Sequence, residues 1–199
     1  MKYKKFYIPY IPKADINYIY LLSLYKILEE ADDRGIKQDI GYSSIKELLS
    51  RINRDKTIMS ESTLRRLLKN KEYNDFFSIE KYGSMNWIHL NNDFRKTEEK
   101  TQPFVVLCPN TYNLLIQEQD NLLAKYTIYM KYMCGYCGGS TDFTANQFLS
   151  TIGYSNKSHS LKDTLSKYNI LLEKNGLISI KRTPLEEGKR RNTYTFTDK

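Results

Sequence analysis

The sequence predicts a mainly α-helical chain with small β-hairpins, an α+β protein built as two consecutive modules of one plan. Three observations lead there. Short segments recur roughly 100 residues apart. Apolar residues at helical spacing give way, late in each half, to short alternating stretches. A polar segment near the middle ends in proline. The 199 residues, 40% hydrophobic and 13% aromatic with 9 Gly and 5 Pro, can bury a core and exclude a linker or fibrous repeat.

The recurrence is read from four matched pairs. FYIP at 6–9 faces VLCP at 106–109, and LLSRI at 48–52 faces FLSTI at 148–152. TLRRLL at 63–68 faces SLKDTL at 160–165, and FSIEK at 77–81 faces ISIKR at 178–182. The offset drifts only between 97 and 101, and the order is kept. Charge divides evenly: residues 1–98 hold 18 Lys plus Arg against 14 Asp plus Glu, residues 99–199 hold 13 against 9, so each half carries +4. RKTEEKTQP, from Arg95 to Pro103, has the composition of an exposed linker. The expected division is module 1 at 1–94, linker at 95–103 and module 2 at 104–199.

In the first module, Ile16 to about Ala31 reads as a long helix capped by Asp15 and stopped by ADDRG. Ser43 or Ser44 opens a second helix with Ile45, Leu48, Leu49 and Ile52 on one side. Ser60 opens a third, with Leu64, Leu67 and Leu68 inward. Phe76 to Glu80 and Asn86 to Leu90 then read as strands around a turn at Tyr82 to Ser84. In the second module, helices are expected at Asn121 to about Met133, Thr144 to Ile152, and from Lys157 to a stop at Asn175 and Gly176. The hairpin runs from Leu177 to Lys181, turns at Pro184 to Gly188 and returns over Arg191 to Thr197. The tyrosines at 18, 20, 25, 126, 129 and 132 are expected to pack helices and not to stack on single strands.

A second helix, a turn, a third helix and a hairpin together make the winged helix-turn-helix arrangement, in which the third helix enters the DNA major groove and the wing follows the backbone. At 100° per residue, Ser62, Arg65, Arg66, Lys69 and Asn70 then face out from the first such helix. Asn156, Lys157, His159, Lys162, Asp163 and Ser166 face out from the second. These groups match phosphates and base edges: Arg suits guanine, Asn suits adenine and hydroxyls suit either. The second wing gathers Lys181, Arg182, Lys189, Arg190 and Arg191, with Asn192, around Glu186 and Glu187. The pI near 9.2 and net charge of +8 suit a polyanionic partner.

NKSHSLKDTLSKYNILLEKNGLISIKR followed by GKRRNTYTF resembles the recognition helix and wing of winged-helix DNA-binding proteins, including the DNA-binding domains of plasmid replication initiators from Gram-positive bacteria. The likeness covers residues 144–197, with LLEKNGLI as its most similar stretch. The first module departs from it through the longer link INRDKTIM and the lack of an LEKxGLI turn. The resemblance implies sequence-specific binding of double-stranded DNA at an origin on a plasmid or mobile element. A transcriptional regulator on the same fold and a protein-interaction module recruiting replication components are the alternatives. A homodimer and replication proteins are the further partners expected.

No enzymatic role, cofactor or metal is expected. GxxxxGK[ST], GxSxG and HExxH are absent from the sequence. Cys134-Gly-Tyr-Cys137 has dithiol or half-zinc spacing, but Cys108, His89 and His159 make no second paired motif. An odd number of cysteines argues against a disulfide framework. No run is apolar enough to span a membrane, and Pro9 and Pro12 interrupt any signal-like start, so the expected location is cytoplasmic.

Overall fold

The computed structural model describes residues 4–7, 15–30, 40–71, 77–90, 104–185 and 190–197. In chain order its elements are β1 (Lys4–Tyr7), α1 (Ile16–Glu30), β2 (Ile40–Tyr42), α2 (Ile45–Ile52), α3 (Glu61–Lys69), β3 (Phe77–Tyr82), β4 (Met85–Leu90), β5 (Phe104–Leu107), α4 (Pro109–Glu118), α5 (Asn121–Tyr136), β6 (Ser140–Asp142), α6 (Ala145–Thr151), α7 (His159–Lys174), β7 (Ile178–Pro184) and β8 (Arg190–Phe196). Helices and antiparallel strands interleave along the chain, and the sheets among the described residues are small and antiparallel, so the fold is mixed and compatible with an α+β class. No described helix is long and apolar enough to cross a membrane.

The chain forms two compact units, Asn17–Thr101 and a second made of Met1–Ile16 with Gln102–Lys199. The first contains a sheet of order β2-β4-β3 and the second a sheet of order β6-β8-β7. Each places a three-residue strand, a short helix and another helix ahead of a hairpin, and pairs that short strand with the hairpin's second strand.

In the Asn17–Thr101 unit, Ile19, Leu48, Ile52, Leu64, Leu67 and Ile88 meet in a core with almost no exposure. Ser44 caps α2, its hydroxyl accepting from the Glu47 amide, and Ser60 caps α3 through the Thr63 amide. The longer link between these helices is organised by Asn53. Its Oδ1 accepts from the amides of Ile58 at 2.9 Å and Met59 at 3.2 Å, and its Nδ2 donates to the Met59 carbonyl at 2.8 Å. One half-buried amide thereby supplies the turn with backbone-like partners.

In the second unit the core is aromatic. Tyr126 meets Phe143 and Phe148 edge-on and Tyr129 meets Phe143 edge-on and Phe148 at a tilt, with centroids 5.0 to 5.9 Å apart, and Phe143 stacks on Tyr194 at 4.8 Å. Tyr20, Tyr126 and Tyr129 are buried, Tyr18 and Tyr132 half-buried, and the side chain of Tyr25 lies outside the described residues.

Several expectations differ from this architecture. FYIP and VLCP, matched as equivalent starts of two modules, include strands that pair with each other: Lys4 opposite Leu107, Tyr7 opposite Phe104. The described residues up to Ile16 thus group with the C-terminal unit and not with the described residues of 17–94. Helix α4 was not foreseen; Pro109 opens it and Gln119, in left-handed conformation at φ 51°, closes it. β2 and β6 were missed because three residues show no period. α5 runs three residues past Met133. The expected turn at Pro184 to Gly188 is occupied by strand through Pro184, and residues 186–189 lie outside the described residues.

Candidate nucleic-acid interface

Helix α7 follows α6 after a short turn. Thr144 and Gln147 form a reciprocal capping box on α6: Thr144 Oγ1 accepts from the Gln147 amide at 3.1 Å, and Gln147 Oε1 accepts from the Thr144 amide at 2.7 Å. Ser158 caps α7. Leu165, Tyr168 and Leu172 bury one stripe of α7, as their spacing requires. Tyr168 hydroxyl donates to Asp120 Oδ2 at 2.5 Å, while Asp120 Oδ1 caps α5 by accepting from the amides of Leu122 and Leu123. Burial, with this bond to Asp120, pushes the Tyr168 hydroxyl far above its ordinary value.

The opposite face of α7 is open. His159, Asp163 and Ser166 are exposed and Lys162 is half-buried, whereas Asn156 and Lys157, expected on this helix, are exposed in the turn before it, because α7 starts at His159 after its Ser158 cap. Lys162, Ser166 and Asn169 border a half-open cleft of about 600 Å³ whose far wall carries Asp142, Arg191 and Asn192 of β6 and β8. A polar network crosses its floor. Tyr126 hydroxyl donates to Asn169 Oδ1 at 2.8 Å, and Asn169 Nδ2 and Asn192 Nδ2 donate to the Tyr194 hydroxyl at 3.4 and 3.3 Å. Burial pushes the Tyr126 hydroxyl well above the ordinary tyrosine range.

Arg182 and Arg191 on this surface have carboxylate partners. Arg191 is paired with Asp142. Arg182 donates to both oxygens of Glu173, at 2.7 and 3.3 Å, which holds the Glu173 carboxyl below its ordinary value and raises that of Arg182. Arg65 on α3 is likewise clamped by Glu61 at 2.6 Å, one helical turn away. By contrast Lys69, Lys157, Lys162 and Lys181 make no salt bridge among the described residues.

On α3, Ser62, Arg65, Arg66 and Lys69 are all exposed, as their spacing implies. Arg66 leans toward α1, its Nη2 donating to Asn17 Oδ1 at 3.1 Å. Lys181 and Arg182 sit on β7, Arg191 and Asn192 on β8, and Asn192 is half-buried. Lys189 lies outside the described residues, as does the side chain of Arg190.

Cys108 and Cys134 are buried thiols and Cys137 an exposed one, and Lys131 Nζ donates to Cys108 Sγ at 3.3 Å. Cys134 Sγ donates to the Tyr194 carbonyl at 3.4 Å, and burial pushes its pKa up, so its thiolate is disfavoured. Among the described residues, His, Cys, Asp and Glu side chains form no group able to hold a metal ion.

Sequence reasoning missed Asp142, Glu173, Gln147 and Asn169. Arg191 and Asp142 lie 49 positions apart, and no local pattern links them. Thr144 and Gln147 did carry a signal, the T-x-x-Q spacing of a capping box. No protein-family model matches the chain. No curated protein matches it either.

Proposed function

We propose that the chain binds double-stranded DNA sequence-specifically through two winged helix-turn-helix modules, as a plasmid-type replication initiator or origin-binding factor. The observation that carries the proposal is the convergence of α7 and β8 on one polar cleft, with Lys162, Ser166 and Asn169 on one side and Arg191 and Asn192 on the other. A backbone strand seated there lies between a helix aimed at base edges and a hairpin following phosphates.

The dimensions suit this. α7 has 16 residues and is about 24 Å long, enough to lie across a major groove about 12 Å wide. α3, with 9 residues, is about 13 Å long and offers a smaller reading face. The choice of replication over transcription rests on the resemblance of residues 144–197 to plasmid initiators.

On this reading Asn156 and Lys162 discriminate bases, while Lys157 and Lys181 grip phosphates without first leaving an internal partner. Selection from random duplexes should enrich one motif or two spaced motifs, and Asn156→Ala with Lys162→Ala should change the enriched motif. An unchanged motif removes α7 from the reading role. Failure to retain any duplex at about 50 mM salt removes DNA binding altogether.

A second reading, a surface for a replication protein, is favoured by Ile170, which lies on the outward side of α7 and is 63% exposed. Capture of a helicase by a protein that ignores duplex DNA would select it.

A further inference from the structure

We infer that Asp142 is an internal competitor for the DNA backbone, holding Arg191 in an ion pair that a phosphate must displace and so limiting affinity for duplexes of every sequence. The inference rests on the DNA-binding reading above and names a control on that same cleft. Asp142 lies opposite Thr193 in the β6–β8 ladder. Arg191, two residues along β8, shares Thr193's face, so the two side chains are diagonal neighbours. The Asp142 side chain lines the same cleft as Lys162 and is 33% exposed, and the Arg191 side chain is 60% exposed.

An ion pair this open adds little to stability. Its larger effect is on the charge that the cleft offers. With Asp142 ionised, the three charged groups Lys162, Arg191 and Asp142 sum to +1; without it they sum to +2. A carboxylate about 7 Å from a bound phosphate, in water, weakens binding about threefold, and release of the arginine adds a further phosphate contact. The same design recurs on the other strand of the hairpin, where Glu173 holds Arg182. Because the competition acts on the backbone, it lowers affinity for random and selected duplexes alike and leaves their ratio unchanged.

The test is fluorescence anisotropy of the full chain on a labelled duplex of about two helical turns, titrated at several potassium chloride concentrations, with thermal unfolding recorded for each variant. Asp142→Asn should bind about three- to tenfold more tightly, with a log–log salt slope steeper by about 0.9. Arg191→Gln, which strands the carboxylate, should bind about tenfold more weakly, and adding D142N to it should recover about threefold of that loss. Glu173→Gln should shift binding in the same direction as D142N and serves as the second variant if D142N does not fold. Wild-type protein that binds while D142N and E173Q leave affinity and slope unchanged overturns this inference alone. Failure of D142N to rescue R191Q also overturns it. Wild-type protein that binds no duplex at low salt overturns the DNA-binding reading, and this inference with it.

Discussion

Asn53 holds the link between α2 and α3 with three hydrogen bonds from one side chain. Asn53→Ala should lower stability by about 1 to 3 kcal/mol, read as a lower urea midpoint, because two amides and a carbonyl lose their partner. INRDKTIM showed only a long link; that an asparagine at its start would fill it depends on how the chain curls back. Tyr168 is a second such residue. Tyr168→Phe should cost about 1.5 kcal/mol by removing the bond to Asp120, while leaving the Asp120 cap on α5 in place. Tyr20, Tyr42, Tyr126 and Tyr168 all have hydroxyls raised above the ordinary value of 10.0, in each case chiefly by burial. The neutral form is therefore favoured in the fold. Their contribution is complete below about pH 10, where unfolded tyrosine starts to ionise, and is lost as pH rises through the higher folded values. Denaturant midpoints at pH 8 and pH 11 should show this fall, and Tyr168→Phe should diminish it.

Helix ends and turns were the most legible elements. Ser44, Ser60 and Thr144 each cap the helix whose start they mark in the sequence. Gly176, expected as a left-handed stop, has φ 68° directly after α7. Gly176→Ala should cost about 1 kcal/mol through strain at positive φ, with little effect on isolated-helix content by circular dichroism. Thr144→Ala should also cost about 1 kcal/mol, measured as a lower midpoint, since it removes the hydroxyl that accepts from the Gln147 amide and leaves only the bond from the backbone amide of position 144 to Gln147 Oε1. The outward faces of α3 and α7 were legible for the same reason: 100° per residue is a property of the helix itself. β2, β6 and α4 were not. The two strands exist by pairing with β4 and β8, and their three residues contain no alternation long enough to read.

In the molecule as a whole, β1 is the element whose place the sequence does not reveal. Its ladder with β5 joins residues about a hundred positions apart inside one compact unit. Removal of residues 1–7 should therefore destabilise the unit containing 102–199 by about 2 to 4 kcal/mol and speed hydrogen exchange at the alternate amides of β5 that face β1. The sequence by itself determined the repeated order of helices and hairpins, the caps, the inward stripes and the basic outward faces, because each is written in spacings of a few residues. Only the tertiary structure decided that β1 crosses to β5, that α7 and β8 share a cleft, and that Arg182 and Arg191 already have carboxylate partners. Hydrogen-bond ladders and ion pairs depend on distance in space, and the periodicity of a chain gives no measure of it between residues 49 or 100 positions apart.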